Sequence, residues 1–482
     1  MTNGVARTMS NISEIWTLVD EKQERLTALS DQIWDTPELC FAEVQSAAAH
    51  VAELEAQGFR VTAGCAGMPT ALMGEAGSGG PIIAFLGEFD ALPDLSQQAG
   101  VAKPIPLADG GKGHGCGHNL LGAGAMLAAT AVKDWLAANG LPGTVRYYGC
   151  PAEEGGAAKV FMVKAGLFDD VDIALSWHPG CFADVMTRSW LANARFDFTF
   201  HGKASHAGAS PHLGRSALDA VELMNVGVNY MREHMPSDAR IHYAMIDGGG
   251  IAPNVVQRRA KVRYAIRASS LADLLPLIAR VKAVAQGAAL MTETQVSIEA
   301  LSGVANLVHT ASLNEVMRRN LDEIGPPQFD EADLTFAREI QATLEDTDIA
   351  NTCAQYGLEP EANRPLGDIL IPKGLAPASP LTVSGDISDV SWVVPTAQLF
   401  GATFAVGTQF HTWQMVAQGK SPAAHKGMVH AAKVMAATAI DLFKDRSLIE
   451  QAKADHAKRA GKARYRSPMP DDIKPPVEMS AS

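Results

Sequence analysis

The chain has 482 residues, 47% of them hydrophobic and 19% charged, with a formal net charge of −13. That length points to two or three domains with ample material for a core, and the negative balance speaks against nucleic acid, which demands a clustered positive surface. No apolar run approaches the roughly 20 residues that span a bilayer, and the N-terminus lacks a secretory h-region, so a cytoplasmic protein with no membrane partner is expected.

In chain order, residues 11–32 and 44–57 carry apolar side chains at helical spacing. Short apolar runs follow at 70–73, 82–87 (IIAFLG), 144–149 (TVRYYG) and 172–177 (DIALSW), and an Ala-rich helix is predicted from Leu120 to Leu136. Strands alternating with helices imply an α/β fold, a sheet covered by helices on both faces.

The pattern changes near residue 190. A strand at 196–200, a helix at 215–231, β-like runs at 240–246 and 254–267, a helix at 271–288 and a strand at 294–300 follow. That β-α-β-β-α-β order is the ferredoxin-like split βαβ arrangement. It predicts an inserted domain over 191–305 within a discontinuous domain made of 1–190 and 306–482. After 306 the alternation of helices and strands is expected to resume, ending in an Ala-rich helix at 426–443. A charged, helix-forming tail at 444–466 and a disordered end at 467–482 complete the expectation.

The six cysteines are too sparse for a disulfide scaffold and read mostly as small buried hydrophobes. Cys116 is the exception. It lies in His114-Gly115-Cys116-Gly117-His118-Asn119, where glycines free the backbone to aim a thiolate and an imidazole at one point. Four other segments sit at predicted strand ends: Gly87-Glu88-Phe89-Asp90, Cys150-Pro151-Ala152-Glu153-Glu154, Trp177-His178-Pro179 and Phe410-His411-Thr412-Trp413. Each alone is more readily a solvated turn or a structural histidine. Together they would share the carboxyl edge of one parallel sheet, where open α/β sheets bind ligands. Adjacent carboxylates such as Glu153 and Glu154 need counter-charge there, and a metal supplies it.

The segments GEFDALP, GHGCGHN, PAEEGG, WHP and FHTW, with Trp34–Leu39 (WDTPEL), Phe41 and Glu43 before them, resemble the metallopeptidase M20 family, nearest its amidohydrolase (M20D) branch. The resemblance covers roughly residues 30 to 443. It implies a mixed-sheet catalytic domain carrying a lid or dimerisation domain, and a site holding two divalent ions, Zn²⁺ or Mn²⁺. Cys116 would bridge them, with His118, Glu154, His178 and His411 completing the ligands. Glu153 would be the general base and Asp90 a supporting acid. His206, in GKASHAG, would polarise the scissile carbonyl, across a dimer interface in some arrangements. Asn254 and Arg267 match positions that hold the substrate carboxylate. Two departures stand out: Asn119 where the branch often has Asp, and Glu88 where many members have His. His425 competes with His411 as last ligand.

The implied reaction is hydrolysis of an N-acyl or N-aroyl amino acid, with an aminobenzoyl-glutamate-like amide as the best single substrate. A dipeptidase for β-alanyl or similar dipeptides is the alternative within enzymes, and a non-catalytic partner subunit the alternative outside them. A homodimer through the inserted domain is expected, with a sister subunit as a further candidate partner.

Overall fold

The computed structural model describes residues 10–361, 363–375, 383–461 and 465–479. In chain order the strands are β1 (Arg60–Ala63), β2 (Leu72–Ser78), β3 (Ile82–Glu88), β4 (Gly143–Cys150), β5 (Ile173–Gly180), β6 (Asp184–Val185), β7 (Ala192–His201), β8 (Arg240–Asp247), β9 (Arg259–Ala268), β10 (Gln295–Val304) and β11 (Thr396–Ala402). Among the described residues they form two sheets, seven-stranded in the order β1-β2-β4-β3-β5-β11-β6 and four-stranded in the order β10-β7-β9-β8.

In the larger sheet β4, β3, β5 and β11 run parallel, and β1, β2 and β6 extend it antiparallel. The fold is thus a mixed α/β sheet with helices on both faces. Ile83 and Phe85 of β3 join the core under the helices Ser10–Asp35, His118–Asn139 and Pro422–Lys444. Ala84 and Leu86 face the opposite core, with Val160 and Ile387 of the helices Ala158–Lys164 and Ile387–Val393. Burial on both sides is why IIAFLG shows no alternation. Gly124 lets the helix His118–Asn139 lie close on the sheet, since a Cβ there would come within 2.7 Å of the Trp177 ring.

By length and composition the helices His118–Asn139 and Leu271–Met291 are apolar enough to cross a membrane, although polar residues interrupt both and neither reads as one apolar run. The first is mostly buried within the core. The second packs on the smaller sheet.

That smaller sheet is antiparallel throughout and takes the ferredoxin-like order. Phe196, Phe198 and Phe200 of β7 face the helices Ala217–Met231 and Leu271–Met291. By strand alternation Asn193, Arg195 and Asp197 stand on the other face.

Three expectations change. The run 254–267 divides into a loop carrying Asn254 and the strand β9. After 306 the chain forms helices at Ala311–Ile324, Glu331–Gln341, Asp346–Gln355 and Ile387–Val393 before the lone strand β11. Leu313, Met317 and Leu321 at helical spacing drive the first of these into the core. Finally, the end expected to be disordered is structured over 467–479. Met469 is buried in the second core, Lys164 Nζ donates to the Pro470 carbonyl at 2.7 Å, and Tyr465 donates to Asp389 at 2.6 Å. A few apolar side chains suffice because the core offers them ready grooves, which composition does not reveal. Residues 480–482 lie outside the described residues.

Candidate metal centre

β3 pairs with β4 on one side and β5 on the other, so the chain leaves the carboxyl ends of its neighbours in opposite directions. This is the crevice in which open α/β sheets place their ligands. Glu88 and Asp90 close β3, Glu153 and Glu154 follow β4, His178 lies on β5, and His411 follows β11.

The backbone at these ends is shaped to deliver the side chains. Gly117 has φ 75, and a Cβ there would press on Phe404 and Pro179 at 3.1 Å. It turns the chain sharply between Cys116 and His118, the first residue of its helix. His411 has φ 62, a strained position for a side-chain-bearing residue, and is tied by its N–H to the Gly115 carbonyl at 2.7 Å. The Glu153–Glu154 turn rests on the N-terminal motif: buried Glu43 accepts from the N–H groups of Phe41 (2.9 Å) and Ala152 (2.8 Å).

The ligand atoms of Cys116, His118 and His178 lie within 4.8 Å of one another, as do those of Cys116, Glu154 and His411. Cys116 belongs to both groups. A third group joins Glu88, His118 and Glu153. Asp90 Oδ1 accepts from His118 Nδ1 at 2.9 Å, and its other oxygen accepts from the Glu154 N–H at 2.9 Å. Asp90 therefore orients two of these candidate ligands, as carboxylates behind metal-bound histidines do.

The electrostatics call for cations. Burial pushes the Cys116 thiol up, and Glu154 adds to it. Burial also lifts Glu153 well above the usual carboxylate range, reinforced by Glu88, Glu154 and Asp386. Burial works upward on Glu154 as well, but the His411 contact at 3.3 Å and the charges of His118 and His411 hold it at about 2. Glu154 Oε1 is buried without a hydrogen-bond partner, and His118 Nε2 faces only the Glu88 carboxylate, at 3.2 Å. Buried polar atoms left open in this way are costly, and a thiol, imidazoles and carboxylates converging on one point suit divalent transition metals. The residues present fit a metal pair.

His425 stands elsewhere, 2.9 Å from Asp31 at the start of the helix Pro422–Lys444. Asn119 is not at the centre either, since its amide donates to Ser30 and to the Gly419 carbonyl. His206 and Asn254 lie on adjoining loops at the end of the smaller sheet, bridged through Val255 and the Ala207–Asn254 backbone bond. Neither lines the cavity of about 170 Å³ beside Glu153, Glu154 and His411. Arg267 is in β9, in register with Asn193.

Sequence reasoning missed the ion group behind the site. Lys159 is fully buried and sits 2.6 Å from both Glu88 and Asp386. The lone lysine in the apolar run AAKVFMV was the available signal, because a charge is kept in such a place only when paired. Of its two partners Asp386, more than 200 residues away, carried no signal.

Fold and constellation together define a metal-dependent hydrolase whose site lies on the carboxyl edge of a parallel sheet. Residues 84–365 match Peptidase family M20/M25/M40. The chain belongs to that family and is a metal-dependent amidohydrolase. It is 44% identical over 477 residues to one of the subunits of p-aminobenzoyl-glutamate hydrolase of Escherichia coli (strain K12), covering 96% of this chain and 99% of that one. The Xaa-Arg dipeptidase of Mus musculus is 29% identical, over 90% and 89% of the two chains. Among solved structures, the aminobenzoyl-glutamate utilization protein of Klebsiella pneumoniae has a TM-score of 0.57 at 18% identity, covering 88% and 97%. The Bacillus subtilis YXEP protein, a dinuclear metal binding peptidase, has a TM-score of 0.57 at 16% identity, covering 88% and 99%. At such identities these likenesses speak for the fold alone.

Proposed function

We propose that the protein cleaves the amide bond of N-acyl or N-aroyl amino acids, with p-aminobenzoyl-glutamate as the best single substrate. One observation supports this above others: two of the three potential ligand groups share Cys116, and Glu153, of the third, stands beside them at the cavity. Cys116 would bridge two divalent ions held also by His118, Glu154, His178 and His411, and Zn²⁺ or Mn²⁺ suits such donors. Bound there, the ions supply Lewis-acid charge and lower the pKa of water to near 7. Glu153, with its raised proton affinity, takes the proton of the attacking water and returns it to the leaving nitrogen. Asp90 keeps His118 and the Glu154 backbone in place. His206, exposed on the smaller sheet's loops, would meet the scissile carbonyl from a second copy. Asn254 and Arg267 would complete substrate binding.

The same proposal divides the chain into a catalytic part (1–190 and 306–482) and an inserted lid or dimerisation part (191–305). It makes the assembly a homodimer. Two Escherichia coli relatives are named as different subunits of one p-aminobenzoyl-glutamate hydrolase, which adds a sister chain as a candidate partner. Six cysteines without a disulfide favour the cytoplasm.

The test is release of amino acid from a panel of N-acyl and N-aroyl amino acids and an Xaa-Arg dipeptide, after chelation and after adding Mn²⁺ or Zn²⁺. Metal-restored cleavage of the acylated amino acids is expected. Preference for the dipeptide would move the assignment to a dipeptidase, and no turnover at full metal occupancy would oppose catalysis by this chain alone.

A further inference from the structure

The segment Tyr465–Met479 crosses from the smaller sheet to the metal centre. The Tyr465 ring packs on both the second core and the core of the smaller sheet. Pro468 and Met469 then lie on Gly303 of β10, where a Cβ would come within 3.1 Å of the proline and 3.3 Å of the methionine sulfur. Lys164 Nζ donates to the Pro470 carbonyl at 2.7 Å, and Ile473 packs again on the second core. Pro475 and Pro476 stiffen the backbone that follows. A turn closed by the Met479 N–H on the Pro476 carbonyl, at 2.9 Å, brings those two residues together. The Met479 sulfur lies 3.6 Å from the point where a side chain on Gly155 would begin. Gly155 directly follows the Glu153–Glu154 pair.

Pro476 and Met479 border a cavity of about 630 Å³ whose opposite wall is the smaller sheet, with Arg263 and Glu299. Gly155 and Ser302 line both this cavity and the one of about 170 Å³ at Glu153, so the two spaces adjoin. The larger volume is of the size that holds small molecules. Resting on the function proposed above, we infer that this cavity takes the acyl half of the substrate, with an aroyl ring lying on Met479 and Pro476. A flexible thioether adapts to an aromatic ring and attracts it. The amino acid half carries its charge at the carboxylate and gains nothing from an apolar wall, whereas a ring leaving water does. Met479 is therefore a specificity-determining residue, favouring aroyl and other bulky acyl groups over an acetyl group too small to fill the space.

The experiment compares metal-loaded wild type, Met479→Ala and Met479→Leu on p-aminobenzoyl-glutamate and on N-acetyl-glutamate, with calorimetric binding of p-aminobenzoate alongside. Met479→Ala is expected to lower kcat/KM on the aroyl substrate by about 5- to 20-fold, and to weaken p-aminobenzoate binding similarly. Turnover of N-acetyl-glutamate should be nearly unaffected. Met479→Leu keeps an apolar side chain of similar size and should recover most of the difference. Equal losses on both substrates would make the segment a structural brace only and overturn the role of Met479, while leaving the metal centre assignment standing. Binding of p-aminobenzoate that is undetectable in wild type, or unchanged in Met479→Ala, would overturn it too. If wild type leaves N-acetyl-glutamate uncleaved, p-aminobenzoate affinity decides. Failure of wild type on every N-acyl and N-aroyl amino acid would instead remove the reading on which this inference rests.

Discussion

Replacing Lys159 with methionine removes the cation from between two buried acids. Lys159 and Asp386 have fully buried side chains, that of Glu88 is 6% exposed, and both ion-pair contacts are 2.6 Å. Methionine fills much of the same volume, so lost packing is a minor part of the effect. What remains is two carboxylates in a low-dielectric interior, and breaking a buried pair on one side costs about 3–5 kcal/mol. Asp386 also accepts from the Lys159 backbone N–H at 2.9 Å, which ties it to the helix start and limits its escape toward water. Urea unfolding followed by fluorescence of the buried Trp135 and Trp177 reads the catalytic core. A loss of about 3–5 kcal/mol is expected. Adding Asp386→Asn to Lys159→Met restores the original net charge and should recover about half of it. A loss below about 1 kcal/mol, or no recovery in the double variant, would refute the view that this lysine neutralises the acids behind the metal centre.

Three further outcomes can be checked. Cys116→Ser exchanges the shared thiolate for a weak ligand, and elemental analysis should find bound Zn²⁺ or Mn²⁺ reduced while the unfolding midpoint of the chelated protein stays near that of chelated wild type. Met469→Ala empties a buried place in the second core and should cost about 2–3 kcal/mol, whereas a disordered tail would show no change. His430 is buried, and that burial holds its pKa at about 4 despite its contact with the Gly325 carbonyl. The unfolded chain then takes up the proton near 6.5 and the native chain does not, so stability is complete above that pH and falls as pH drops toward 4. The loss approaches about 3 kcal/mol, and His430→Gln should flatten that part of the urea-midpoint profile.

The parts of the fold legible in the sequence were those in which one segment settles its own structure. IIAFLG and DIALSW announce buried parallel strands, and the alternation in ARFDFTFH announces a strand with one covered face. Glu154 and His178 were legible because each stands at the end of such a strand, and Cys116 and His118 because glycines flank them at the start of a helix. Lys159 and Asp386 were not, because their meaning depends on what lies opposite across the fold. An isolated lysine in AAKVFMV declares a need for a partner without naming it. The Tyr465–Met479 segment is the same case in apolar form, since its grooves are built by residues hundreds of positions earlier. The four-residue β1 and two-residue β6 were too short to give a periodic signal.

The most direct measurement is turnover and bound metal in one preparation of Glu153→Gln, set beside wild type on an N-aroyl amino acid. The expected result is metal content equal to wild type with kcat lower by about 10²- to 10⁴-fold. Wild-type turnover in that variant would contradict the assignment of Glu153 as the base, and with it the chemistry read from this site.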